Sequence, residues 1–284
     1  MDSRDAVLVV GAGGLIGRSL VTRLGTEGRH VIVTSRRDEP GTCRLDLSAD
    51  LSSWTPPQPV AVAYLCAATT SLEQCRVHPR ESYAVNVTGT MALARTLSRQ
   101  GTLVVFLSTN LVFDGSVPYQ RAESATCPRT EYGRQKAAVE RQLLDLPGGC
   151  VVRLTKVLGP EMPLLRQWTD LLRQSEVIRP FLDMVMAPVS VRWVVDVLCR
   201  IGQRRIKGLW QVSGSRDVTY AEAAGHLASR LQASPSLVQP RMVADAGLSL
   251  EHVPTHTTLD CSRIATELGI EPPDPWEAID QACP

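Results

Sequence analysis

The sequence predicts an α/β fold, a doubly wound parallel sheet followed by a smaller C-terminal lobe. Short β-branched apolar runs alternate with helix-length segments through the first half of the chain. These runs are apolar on both faces, as strands covered by helices on either side must be. The first run also leads directly into a glycine-rich turn, "GAGGLIG" at 11–17, that opens a helical pattern. Strand, crossover helix and parallel strand in repetition build a doubly wound sheet.

The strand candidates, in order, are "AVLVV" (6–10), "HVIVTS" (30–35), "VAVAYL" (60–65), "TLVVFLS" (102–108) and "CVVRLT" (150–155). Helical patterns lie between them at 15–27, 79–100 and 130–146. Beyond residue 156 the rhythm loosens and prolines recur (Pro160, Pro163, Pro180, Pro188). Helical patterns follow at 163–174, 191–205 and 219–232, with one strand candidate, "GLWQVSG" (208–214). The expected division is a sheet domain over 1–155 and a smaller lobe over 156–284, with some elements returning to the sheet. "WTPPQPV" (54–60) is too short to divide domains and reads as a surface loop.

Composition narrows the function. The chain has 284 residues, 44% hydrophobic and 21% charged, an ordinary globular balance. A net charge of +1 gives no electrostatic footprint for nucleic acid or an anionic membrane. The start, "MDSRDAVLVVGAGG", lacks a basic n-region, a long apolar core and a cleavage site. No apolar segment approaches the roughly eighteen residues that span a bilayer. A soluble, cytoplasmic protein is expected. The eight cysteines are scattered without a C-x-x-C pair, and several sit inside apolar runs, so reduced core thiols are expected. The five histidines are equally dispersed, and no metal site is expected.

The glycine loop is the first site with chemistry. Gly11, Gly14 and Gly17 are spaced G-x-x-G-x-x-G, with Ile16 where the commoner fingerprint would place its last glycine. Glycines there let the turn close, let backbone approach a pyrophosphate, and let the helix pack on the sheet. The helix starting at Leu15, Ile16 and Gly17 would aim its positive end at that phosphate. A ligand-free strand–helix turn is the alternative, but its place after the first strand favours a dinucleotide and a Rossmann-like fold. At the end of the second strand, Ser35, Arg36 and Arg37 stand where an acid would select NAD. A hydroxyl and two guanidiniums suit a 2′-phosphate, so NADP(H) is the expected cofactor.

"EYGRQKAAVE" (131–140) sets Tyr132 four residues before Lys136, on one helix face. Such a pair is common by chance, and its neighbourhood decides. In "FLSTNLVFDGSVPYQRAESATCPRTEYGRQKAAVE" (106–140), Ser108, Thr109, Val112, Phe113, Gly115, Pro118, Tyr119, Glu123, Pro128, Tyr132, Gly133, Lys136 and Glu140 fall in the order of a known pattern. The chain resembles the extended short-chain dehydrogenase/reductase superfamily, and within it the dTDP-4-dehydrorhamnose reductase group. "AYLCAATTSLEQCRVHPRESYAVNVTGT" (63–90) and "TLDCSRIATELGI" (258–270) are similar to further segments of that group. Two departures stand out: Asn110-Leu111 replaces the group's Asp-Tyr, and 156–186 lacks a clear match to its sugar-nucleotide contacts.

The resemblance implies an NAD(P)-dependent oxidoreductase that reduces a carbonyl, foremost the 4-keto group of a nucleotide-linked deoxysugar. Tyr132 would be the proton donor. A free tyrosine titrates near about 10, and Lys136, with the oxidised nicotinamide, would lower that value. Lys136 would also hold the nicotinamide ribose. Thr109, or less favourably Ser108, would hydrogen-bond the carbonyl oxygen. Asp46, followed by Leu47, would lie at the adenine or simply cap a loop. Cys66, Ala67, Ala68 and Thr69 would line the cofactor or form a tight strand exit. Asn86 matches the superfamily's helix asparagine, with a buried structural role as the alternative. Trp168, Trp193 and Trp210 read as packing residues, while Arg153 and Lys156 are candidates for substrate phosphates or for solvated charge. The partner expected is a small-molecule carbonyl substrate such as a nucleotide-linked sugar, without nucleic acid or membrane; a homodimer is compatible. Two alternatives remain open: a reductase of a non-sugar ketone, aldehyde or imine, and a cofactor-binding subunit like the methionine adenosyltransferase regulatory subunit.

Overall fold

A computed structural model describes residues 6–160, 162–247 and 250–283. They group into two compact units, each discontinuous in sequence. One comprises Met1–Phe113, Ala125–Arg153 and Val194–Trp210, the other Asp114–Ser124, Leu154–Trp193 and Gln211–Pro284.

The chain begins with β1 (Ala6–Val10), buried at every position because "AVLVV" has no polar face to turn to water. Then α1 (Leu15–Thr26) buries Gly17, Leu20 and Leu24, a helical stripe at spacings of three and four. β2 (Val31–Ser35), β3 (Cys43–Arg44) and β4 (Val60–Leu65) follow. The single helix expected over 79–100 is interrupted. After α2 (Leu72–Val77), α3 (Pro79–Tyr83) starts on a proline at its first turn. The chain then widens into a π-helical turn, Ala84–Gly89, before α4 (Thr90–Arg99). Within the wide turn the Thr90 hydroxyl donates to the Val85 carbonyl at 2.9 Å.

β5 (Leu103–Thr109) is buried throughout, α5 (Glu131–Leu144) is capped by the Thr130 side chain, and β6 (Gly149–Leu154) closes this stretch. Shorter elements follow: β7 (Val157–Leu158), α6 (Pro163–Arg173), β8 (Val185–Met186) and β9 (Val189–Ser190). α7 (Val191–Gln203) leads to β10 (Gly208–Val212), where the expected strand stops two residues early. β11 (Val218–Thr219), α8 (Tyr220–Arg230), α9 (Ser262–Leu268) and α10 (Pro275–Ala282) complete the described helices and strands.

The predicted doubly wound sheet is present, with seven strands in the order β10-β6-β5-β4-β1-β2-β3. The pairings β1–β2, β1–β4, β2–β3 and β4–β5 are parallel. The chain steps from β1 outward to β2 and β3, then returns to β4 on the other side of β1. That reversal leaves a crevice at the carboxyl ends of β1 and β4, where doubly wound sheets bind ligands. Leu8, Val10, Leu65, Leu97, Phe106 and Val151 belong to the apolar core around these strands.

The second unit holds two small sheets, β11–β8 antiparallel and β7–β9 parallel. Its core gathers Leu165, Trp168, Leu172, Leu227 and Ile279. α8 starts on a capping box in which Thr219 and Glu222 satisfy each other's backbone amides. Among the described residues no helix is long and apolar enough to cross a membrane.

Candidate active site

The glycine loop sits at the carboxyl end of β1. Gly11 has φ +86°, and a side chain there would put Cβ 2.6 Å from the Ala67 amide nitrogen at the exit of β4. Gly17 lies against the Gly11 carbonyl, too close for any Cβ. These two glycines are required by the protein's own packing. Gly14 is different: its nearest contact is an ordinary 3.5 Å to the Gly11 carbonyl, and it is exposed. It occupies the N-cap of α1 with no side-chain cap, and the first turn, Leu15, Ile16 and Gly17, carries no acid. Uncapped amides at a positive helix end, unopposed by carboxylate, fit a pyrophosphate.

At the end of β2 the Ser35 hydroxyl accepts from the Arg37 backbone amide at 3.1 Å. Arg36 and Arg37 are exposed, and neither guanidinium has a hydrogen bond or ion pair among the described residues. Both remain available to an anion. Asp46 is committed to its own turn, accepting from the Ser48 amide at 2.9 Å and hydroxyl at 2.7 Å. Those bonds, with Arg36 and Arg44 nearby, hold its carboxyl below the usual range. Leu47 is buried, and its carbonyl lies so near Gly89 that no Cβ would fit between them. Cys66 and Ala67 leave β4 beside the glycine loop, the Cys66 amide bonded to the Val10 carbonyl at 2.9 Å, and Ala68 follows partly exposed. Burial pushes the Cys66 thiol up to about 12, so it is a neutral lining group and no nucleophile.

Tyr132 and Lys136 stand one turn apart at the head of α5. Gly133 lets that first turn press against the Leu111 carbonyl, where a Cβ would collide. The Lys136 ammonium is buried, donates to the Leu107 carbonyl at 2.7 Å, and lies 4.4 Å from the Phe106 ring centroid and 5.6 Å from that of Tyr132. Burial lowers its pKa to about 8 against the opposing pull of Cys66, Glu140 and Cys75. For Tyr132 the protein's own groups push the other way. Burial first, and the Cys75 thiol second, push the phenol well above its ordinary value. Desolvation of the phenol oxygen sets this direction, and the Lys136 proton is turned to the Leu107 carbonyl.

The two strand-end hydroxyls separate. Ser108 donates to the buried Glu140 carboxylate, which removes it from the list of catalytic candidates. Thr109 stays at the end of β5, accepting from the Leu111 amide at 3.2 Å. Arg153 also leaves the list of substrate contacts. It lies inside β6, its guanidinium buried against Glu140 at 2.8 Å and over the Phe113 ring at 4.8 Å. A charge at a strand end reads as solvent-facing, but this strand is covered on both faces and the arginine's partner comes from α5.

Comparison with known proteins now bears on this arrangement. The model of a family described as the RmlD substrate binding domain matches residues 5–283. The chain belongs to this family. It is thereby an oxidoreductase of the extended short-chain dehydrogenase/reductase type. A dTDP-4-keto-6-deoxy-D-glucose reductase of Streptomyces niveus is 30% identical over 99% of this chain and 97% of its own. Methionine adenosyltransferase 2 subunit beta of Bos taurus is 27% identical over 93% of this chain and 82% of its own. The crystal structure of a dTDP-4-dehydrorhamnose reductase from Bacillus anthracis, in complex with NADP, superimposes with a TM-score of 0.85 at 20% identity, covering 98% of each chain. That likeness shows the fold.

Within the RmlD family pattern, the departure at Asn110-Leu111 falls on a short 3-10 turn, Asn110–Val112, directly after Thr109. Its backbone still receives Gly133, so the turn keeps its structural part without the acid and phenol. Sequence reading missed two residues of the site. Gln135 lies fully buried on α5, and Cys75 lies buried beside Thr69 at 3.4 Å. Gln135 could have been noticed as an uncharged polar residue on the buried side of α5, beside Lys136, Val139 and Glu140.

Proposed function

We propose that this chain reduces the 4-keto group of a nucleotide-linked deoxysugar, with NADPH as its cofactor. One observation carries the reading furthest: the Tyr132 phenol and the buried Lys136 side chain share one face of a helix fixed to the end of β5. The glycine loop, the uncapped start of α1, and the exposed Arg36 and Arg37 fit the cofactor's phosphates. Bound there, a reduced nicotinamide would supply the hydride. As the carbonyl carbon gains it, charge grows on the oxygen. Tyr132 gives its hydroxyl proton to that oxygen, and Lys136 stabilises the phenolate left behind. Thr109 donates its hydroxyl to the same oxygen and orients it. The Ser108–Glu140–Arg153 cluster holds β5, α5 and β6 together beneath these groups.

The test is turnover of dTDP-4-keto-6-deoxy-D-glucose, the compound in the Streptomyces niveus relative's name, followed by NADPH absorbance. A UDP-linked 4-ketosugar, simple ketones and an imine serve as comparisons. Preferential oxidation of NADPH with the dTDP ketosugar supports the reading. Faster turnover of a non-sugar carbonyl moves the substrate. Tight NADPH binding without reduction of any carbonyl favours the regulatory role in the name of the bovine relative.

A further inference from the structure

Behind the two loops expected to face the cofactor lies a buried amide relay, all of it within the first unit. Asn86 sits in the π-helical turn and is 1% exposed. Its side-chain oxygen accepts from the Thr69 amide at 2.7 Å, and its nitrogen donates to the Thr69 carbonyl at 2.9 Å. Asn86 thus clasps both backbone groups of the residue that ends the β4 exit loop. The second proton of its nitrogen goes to Gln135 Oε1 at 2.8 Å. Gln135, also 1% exposed, donates through Nε2 to Ser82 Oγ at 2.9 Å and Glu131 Oε1 at 3.1 Å.

The relay has a direction. Thr69 fixes which way Asn86 faces, so position 135 must offer an acceptor to Asn86 and a donor to Ser82 and Glu131. Among side chains of this length an amide supplies both at neutral pH, and a carboxyl does so only when protonated. The same π-helical turn reaches the other cofactor-facing loop, because Gly89 packs on the Leu47 carbonyl without room for a Cβ. Gln135 lies between Tyr132 and Lys136 on α5 and links that helix to the turn through its bond with Asn86.

We propose that Gln135 is a positioning residue: through Asn86 it fixes the cofactor-facing loop 66–69 relative to the helix bearing Tyr132 and Lys136. The proposal rests on the reductase reading for its catalytic consequence, but its structural half is testable alone. Gln135→Met keeps the volume and removes the amide. In the ligand-free protein, hydrogen exchange of the Thr69 amide should quicken roughly tenfold, the scale of one net hydrogen bond. NADPH affinity by fluorescence titration should weaken about fivefold to tenfold for the same reason. With an active substrate, 4-deuterated NADPH should show a larger isotope effect than in the wild type, because mispositioning slows hydride transfer itself, which loss of packing alone would not do. Gln135→Glu should behave alike at neutral pH and recover in acid, where a protonated carboxyl regains the donor.

Unchanged Thr69 exchange in Gln135→Met, or Gln135→Glu without acid recovery, overturns the proposal. Should Gln135→Met fail to fold, Gln135→Glu decides by its pH response in NADPH affinity. A wild type that reduces no carbonyl defeats the reductase reading and leaves the exchange result standing.

Discussion

Burial keeps the Tyr132 phenol protonated far above neutral pH, so the resting residue is a donor rather than a phenolate. Tyr132→Phe removes only the hydroxyl that carries that proton. Turnover should fall by about two to four orders of magnitude, the usual worth of a positioned general acid, while NADPH binding by fluorescence stays close to wild type. Lys136 carries a stability signature as well. Its folded pKa of about 8 lies below the unfolded value of about 10.4, so the folded state sheds its proton first. The resulting penalty is fully present below pH 8 and is relieved as pH rises towards about 10.4. Chemical denaturation across that window should therefore show a gain in stability that Lys136→Met lacks. The glycines divide in the same way by what they touch. Gly14→Val should melt near the wild-type temperature yet lose NADPH, whereas Gly17→Ala, driven into the Gly11 carbonyl, should cost about 1–3 kcal/mol in urea unfolding.

Buried charge joins elements rather than facing substrate. Glu140 on α5 and Arg153 on β6 are both almost wholly buried, and Ser108 on β5 completes the set. Glu140→Gln leaves the guanidinium without a counter-charge. Urea unfolding should register a loss of about 3–5 kcal/mol, partly recovered by adding Arg153→Met. This tie was only half legible. Glu140 was visible as a motif residue, but its spacing says nothing of a partner on β6. The signal was Arg153 itself, set in "CVVRLT" with apolar neighbours on both sides. Strands β1, β4 and β5 were legible because runs buried on both faces leave no polar alternation to misread. The two-residue strands β3, β7, β8, β9 and β11 are too short to show any period. Nor does anything in the 79–100 pattern announce the π-helical turn, since its cause is distant: Gly89 against Leu47 and Asn86 against Thr69. Glycines, the Tyr–Lys pair and the arginines at β2 stood out in the sequence because each is a pattern of local spacing. Gln135 was not, because its meaning depends on residues more than forty positions away.

Across the whole chain a net charge of +1 leaves cofactor choice to a local contrast, the paired arginines after β2. NADPH should bind more tightly than NADH, and the difference should shrink with added salt and in Arg36→Ala/Arg37→Ala. Titration of both cofactors at two ionic strengths checks it; equal affinities at low salt would remove the 2′-phosphate from the account. The sheet order has a further consequence for synthesis. The glycine loop, Thr109, Tyr132 and Lys136 all precede residue 146, whereas Arg153 is made later and β10 later still. A nascent chain arrested with α5 clear of the ribosome but Arg153 still inside the exit tunnel thus holds nearly every group of the proposed chemistry, yet its Glu140 has no guanidinium to meet. On that nascent chain α5 should be cut readily by protease, and protection should appear only when Arg153 has emerged. Arrested chains of increasing length, digested on the ribosome, would show α5 waiting for its counter-ion.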